Sequence, residues 1–307
     1  MTRLALYSFT VLLALQAGPA TADSIDAGGV TRTYTTVVPE QKPAPLVLVL
    51  HGNTQQGADM VQRTSWPDVA RRERFAAVFP DGLNRSWADL RAKKERIGRM
   101  PPEGTYDIAF LSALIESFVT DGLADPKRIY VTGLSNGGAM TMSMACARAD
   151  IFAAAAPVII NLTDGLASGC QPSRPVPLLL MNGTQDPLIP YGGGKGTSWL
   201  AVDGFWSTAN TVHFWRGKNG CEPGDASSTG LTNRDPSDGS TVTLISSTCP
   251  AGRDVLLYRV NGGGHRFPSP RPDARMPRLV DTFLGTQNHD IDGAEVIWEF
   301  FKRFERS

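Results

Sequence analysis

RIYVTGLSNGG, residues 128–138, decides the fold. Its first half, Arg128 to Thr132, is a β-branched and aromatic run that reads as a buried strand. Its second half, Gly133-Leu134-Ser135-Asn136-Gly137, is G-x-S-x-G, and the small-residue, Met-rich stretch Gly137 to Arg148 that follows reads as a helix. A serine between strand and helix sits on a sharp turn that presents its hydroxyl at the carboxyl edge of a sheet. Glycines flank it at two residues on either side, where a side chain would collide with neighbouring backbone. The helix start also aims the positive end of its dipole at the hydroxyl. The stretch therefore predicts a nucleophile at Ser135.

Outward from this turn the same alternation repeats. Thr31 to Val38, Pro45 to Leu50, Phe75 to Phe79, Ala154 to Ile160, Pro177 to Met181 and Val255 to Val260 are short apolar or β-branched runs, most of them ending in Gly, Asn or Asp. Such runs read as strands buried on both faces, hence a parallel sheet. Ile108 to Val119 (with Asp107 as N-cap), Phe205 to Lys218 and Ala294 to Phe304 read as helices between them. The expected fold class is α/β: one doubly wound, mostly parallel sheet flanked by helices. There is no internal repeat and no evident linker, and the Pro-rich stretch Phe267 to Pro277 reads as a loop.

A serine hydroxyl needs a base, and in strand–turn–helix sites of this kind the order is serine, acid, histidine. Three histidines follow Ser135. His213 lies inside a helix, and His289 sits among polar residues just before the last helix, where a capping or surface role is expected. His265 follows the last strand in Gly262-Gly263-Gly264-His265 and is the expected base. The acid should follow the strand between them, where Asn182-Gly183-Thr184-Gln185-Asp186 offers Asp186; Asp164 and Asp203 are rivals. An oxyanion needs backbone N–H groups. The expected pair is Asn136, next to the nucleophile, and Asn53 in the His51-Gly52-Asn53 turn, which His51 would order through hydrogen bonds. Trp87, Ile189, Tyr191 and Phe267 are candidate substrate-binding residues, with Asp89 and Leu188 beside them. Trp206 and Trp215 read as core.

Composition narrows the partners. Of 307 residues, 41% are hydrophobic, enough for a sizeable core, and 30 Lys and Arg balance 30 Asp and Glu. No basic surplus points to nucleic acid or to a stable association with anionic membrane. Four cysteines without C-x-x-C, and only four histidines, suggest no metal, and no cofactor is expected. Residues 1–22 read as a signal peptide: Arg3, the apolar run Leu4 to Leu15, then Ala20-Thr21-Ala22 with cleavage after Ala22. Residues 23–307 then form one catalytic domain, secreted or periplasmic, of open oligomeric state. Export agrees with disulfides, and of the three possible pairings Cys146–Cys170 and Cys221–Cys249 each close a short loop. The latter pair brackets a polar stretch that reads as a surface hairpin.

LVLVLHGN, YDIAFLSALIE, RIYVTGLSNGGAMT, FAAAAPV, NGTQDPLIPYGGG, YRVNGGGHRFP and IDGAEVIWEFF appear in this order. As a set, from about residue 30 to 304, they resemble secreted poly(3-hydroxybutyrate) depolymerase-like esterases, a group that overlaps bacterial feruloyl and acetylxylan esterases. The resemblance implies the α/β-hydrolase fold, a Ser135-Asp186-His265 triad and no cofactor. Its expected substrate is a 3-hydroxybutyrate polyester or oligomer, with a feruloyl or acetylxylan ester as the alternative. The chain departs from the family pattern at Phe267-Pro268 and at Trp87-Ala88-Asp89-Leu90, both where substrate contact is expected.

Overall fold

The apolar runs become strands buried on both faces because six of them lie side by side in the middle of one sheet. The computed structural model describes residues 20–91, 99–103, 105–195, 204–271 and 282–306. Its ten-stranded sheet has a parallel centre of β4 (Ala76–Pro80), β3 (Ala44–Leu50), β5 (Ala124–Leu134), β6 (Ala154–Val158), β7 (Leu178–Gly183) and β10 (Val255–Asn261), in that order. Antiparallel strands close both sides: β2 (Thr31–Val37) and then β1 (Thr21–Asp26) beyond β4, and β9 (Thr241–Ser246) and then β8 (Ser227–Gly230) beyond β10.

Side chains on a strand alternate between faces, and β3 shows the consequence. Leu46, Leu48 and Leu50 join the core under α3 (Asp107–Thr120), α4 (Asn136–Ala147) and α6 (Thr208–Asn219). Val47 and Val49 join the core on the other face, under α1 (Gly57–Arg63), α2 (Trp66–Glu73) and α7 (Gly293–Phe301). On that second face Phe75 stacks on Trp298 at 4.1 Å between ring centroids, and Tyr130 stacks on Phe301 at 4.9 Å. A short helix, α5 (Asp164–Gly169), follows β6. Because β3, β5, β7 and β10 are parallel, the loops after them all emerge at one edge, where ligands bind in open α/β sheets.

Every expected strand and helix is present, with ends shifted by a few residues. β2 was expected as a strand of the parallel sheet but runs antiparallel to β4, and β1, β8 and β9 were not expected as sheet members. β8 and β9 are the expected hairpin between the Cys221–Cys249 partners, but β9 also pairs with β10. β1 spans the expected cleavage point after Ala22, so cleavage there would leave Asp23–Asp26 to pair with β2; residues 1–19 lie outside the described residues. Asp107 is not an N-cap. It is the first residue of α3, fully buried, and its carboxylate accepts from Arg32 Nη2 at 2.7 Å and from Ala88 N at 2.7 Å. Burial pushes this carboxyl above its ordinary value despite the Arg32 guanidinium.

Candidate active site

Ser135 occupies a conformation that costs energy and is held there by its neighbours. Its φ and ψ are 56° and −113°, a region L-residues avoid. Its N–H donates to Val158 O at 2.9 Å, tying the turn to β6. The flanking glycines have steric reasons. A Cβ on Gly133 would lie 2.4 Å from Gly137 O, and one on Gly137 would lie 2.3 Å from Leu50 O. The turn closes only if both are bare. Asn136 to Cys146 of the following helix are all buried, which explains its small-residue and Met composition.

The structure brings the three expected residues together. His265 Nε2 lies 2.9 Å from Ser135 Oγ, and His265 Nδ1 lies 2.7 Å from Asp186 Oδ2. A neutral imidazole protonated on Nδ1 satisfies both contacts, donating to the carboxylate and accepting from the hydroxyl. Asp186 Oδ1 accepts from Leu188 N and Ile189 N, both at 2.8 Å, so the carboxylate cannot swing away. The loop bearing Asp186 packs on the loop bearing His265: a Cβ on Gly183 would lie 2.3 Å from Gly263 O. The rivals sit elsewhere. Asp164 begins α5 and accepts from Trp206 Nε1 at 2.7 Å; Asp203 lies outside the described residues. His213 is exposed on α6, and His289 is a packing residue bound through Nδ1 to Ser269 O, while Asp292 caps α7.

The turn after β3 is built on His51. Its Nδ1–H donates to Gly52 O at 2.8 Å, and its Nε2 accepts from Gly82 N at 2.9 Å. Burial lowers its pKa to about 4, so it is neutral and takes no part in proton transfer near neutrality. The backbone N–H groups of Asn53 and Asn136 have no acceptor among the described residues, and both residues line the cavity over Ser135. Their side chains meet on Ser86. Asn53 Nδ2 donates to Ser86 Oγ at 2.9 Å, and Asn136 Oδ1 lies 3.3 Å from the same oxygen. Asn136 Oδ1 also accepts from Trp87 N at 2.7 Å, and its Nδ2 donates to Asp89 Oδ2 at 3.0 Å.

That cavity has a volume of about 640 Å³ and opens beside Ser135 and His265. Ile189 and Phe267 line it as expected, with Leu188. Trp87 does not. It is fully buried beneath the turn, its indole N–H donating to His51 O at 2.9 Å, so it supports the loop from behind the cavity wall. Tyr191 also lies outside the cavity wall, half-buried beside Arg259, and Asp89 stands behind the wall rather than in it. Trp215 is core, but Trp206 precedes α6 and is only half-buried. Sequence reasoning missed Ser86, whose partners Asn53 and Asn136 meet it only through the fold, and Arg91, which pairs with its near neighbour Asp89.

Comparison with known proteins agrees with this fold. An acetyl xylan esterase from Aspergillus awamori superposes over 80% of this chain and 94% of its own, with a TM-score of 0.56 at 14% identity. A thermostable esterase covers 94% of this chain with a TM-score of 0.55. The chain has the α/β-hydrolase fold. Among sequences, the chain is 34% identical over 234 residues to feruloyl esterase B of Piromyces equi, covering 73% of the chain and 40% of that protein. It is 30% identical to a probable feruloyl esterase C of Aspergillus niger, covering 62% and 63%. It is 28% identical to the putative esterase NocK of Nocardia uniformis, covering 81% and 74%. The chain thus spans less than two thirds of the first two relatives. The prolyl oligopeptidase family matches residues 103–164, which include Ser135 but neither Asp186 nor His265.

Proposed function

We propose that the protein is a serine carboxylic-ester hydrolase acting through an acyl-enzyme on Ser135. The observation that carries this is the unbroken path from Ser135 Oγ through the His265 ring to Asp186, with segments of 2.9 and 2.7 Å. Ser135 Oγ attacks the ester carbonyl carbon while His265 Nε2 takes the hydroxyl proton. The carbonyl oxygen becomes an oxyanion and accepts from the N–H groups of Asn53 and Asn136. Asp186 stabilises the imidazolium. The alcohol then leaves with the proton from Nε2, and the acyl group stays on Ser135. A water, deprotonated by the same nitrogen, releases the acid. The four cysteines, paired as Cys146–Cys170 and Cys221–Cys249, suit a secreted or periplasmic enzyme.

For the substrate, relatives called feruloyl esterase and a structural neighbour called acetyl xylan esterase favour an aromatic or acetyl ester of plant cell-wall polysaccharide over the 3-hydroxybutyrate polyester that the motif resemblance put first. The test is parallel hydrolysis of methyl ferulate, an acetylated xylan oligomer and a hydroxybutyrate oligomer by wild type and Ser135→Ala. The expected result is highest kcat/KM on one of the plant esters and a loss of at least about 10⁴-fold in the variant. Equal activity of the two proteins ends the esterase reading, and preference for the hydroxybutyrate oligomer restores the polyester.

A further inference from the structure

We infer that Arg91 is a recognition site for a carboxylate on the substrate, an inference that rests on the esterase reading. The Arg91 side chain is 3% exposed, yet it forms part of the cavity wall that also holds Ser135 and Asn136. Its Nε and Nη2 donate to Asp89 Oδ1 and Oδ2 at 3.0 and 2.7 Å. No described residue accepts from Nη1. One edge of the guanidinium is therefore fixed, and Nη1 is the nitrogen left to bond a ligand in the cavity. A donor in such a place is stabilised by an oxygen that fills the cavity, and a charged oxygen gives the stronger bond.

Two further observations point to an anionic oxygen. The described wall carries Arg63, Arg85, Arg91 and Arg266 against the single carboxylate of Asp59. Asp89 backs Arg91, and Arg63 pairs with Asp59 at 3.6 Å. Leu134, Ile160, Ile189 and Phe267 make much of the rest of the wall apolar, so charges there are poorly screened. Asp89 Oδ2 also receives Asn136 Nδ2, which fixes Arg91 in register with the residue beside the nucleophile. A substrate carboxylate on Nη1 would thus hold its ester carbon at a set distance from Ser135 Oγ, the kind of positioning that raises kcat/KM.

The experiment compares three 4-nitrophenyl esters of similar shape: the hemiglutarate, its methyl ester and the valerate. Wild type is expected to show a kcat/KM for the hemiglutarate about tenfold above that for the valerate, a ratio that shrinks in high salt, with the neutral methyl ester below the hemiglutarate. In Arg91→Leu that ratio falls to about one, whatever the absolute rates, and Arg91→Lys restores part of it. A wild-type ratio of one or less, a methyl ester turned over as well as the hemiglutarate, or an unchanged ratio in Arg91→Leu overturns the inference. Should Arg91→Leu fail to fold, inhibition of wild type by glutarate against glutaramide decides, and equal inhibition overturns it. Wild type inactive on all three esters instead withdraws the esterase reading itself.

Discussion

His51 illustrates how a single buried ring ties activity to stability without touching the chemistry. Its folded-state pKa is about 4, against about 6.5 for an unperturbed histidine. Burial disfavours the charged ring, so as pH falls the unfolded chain takes up this proton before the folded one does. Stability is therefore lost as pH drops from about 6.5 to about 4, and the loss is complete below that. The difference between the two values corresponds to about 3 kcal/mol. Urea unfolding at pH 7.5 and pH 4 should show a fall of that order in wild type and a smaller one in His51→Gln, which cannot titrate; equal slopes would mean that other groups dominate. Asp186 makes a different kind of contribution. Asp186→Asn keeps the shape but replaces an acceptor with an amide that can donate to Nδ1. The ring proton then moves to Nε2, the nitrogen that must receive the Ser135 proton. The expected outcome is a fall of about 10⁴-fold in kcat with the fold intact, checked by steady-state kinetics alongside thermal melting.

Between residues and the whole, the loop from Gly82 to Arg91 determines how the site is held. Its Ser86 receives Asn53 and faces Asn136, the two residues whose N–H groups are proposed to hold the oxyanion. Ser86→Ala removes that shared partner. It is expected to lower kcat by about tenfold to a hundredfold with KM within about twofold, since the ground-state carbonyl depends less on those donors than the oxyanion does. Ser86→Thr, which keeps the hydroxyl, should recover most of the rate; a proportional rise in KM would assign Ser86 to binding instead. The elbow is less forgiving. Gly137→Ala drives a methyl group to 2.3 Å from Leu50 O and 2.5 Å from His51 O, and should cost about 3 kcal/mol or more in urea unfolding. These elements also mark the limit of what the sequence discloses. Central strands such as β3 and β7 were legible because burial on both faces leaves continuous apolar runs. β1 was not, since its residues are almost all exposed and carry no pattern. Ser135, Asp186 and His265 were legible as punctuation after strands. Trp87 was assigned to the right loop but the wrong side of it, because a sequence tells which turn a residue occupies and not which way it points. Ser86 gave no signal, its role being set by contacts with Asn53 and Asn136, distant in the chain, and Arg91 gave none because its pairing with Asp89 two residues earlier does not tell which side of the loop it faces.

Across the molecule, the two disulfides fasten regions of unequal importance. They close loops of similar length, 24 and 28 residues, so chain entropy assigns each about 3.5 kcal/mol and does not distinguish them. Their surroundings do. Cys146 and Cys170 are buried, joining the far end of α4, the helix that begins beside Ser135, to the end of α5. Cys221 and Cys249 are half-buried and join the end of α6 to the chain beyond β9, at the antiparallel edge of the sheet. Replacing the first pair by serine adds to the lost cross-link two hydroxyl groups in apolar surroundings, each costing about 1–3 kcal/mol when unpaired. Cys146→Ser/Cys170→Ser should therefore lose at least about 2 kcal/mol more in urea unfolding than Cys221→Ser/Cys249→Ser. The second variant should keep wild-type kcat, because no element between its cysteines except β8 and β9 depends on it and neither bears a residue of the triad. Equal losses from the two variants would mean that the buried cross-link acts through the unfolded chain alone, and that α4 is held in place by its packing under the sheet.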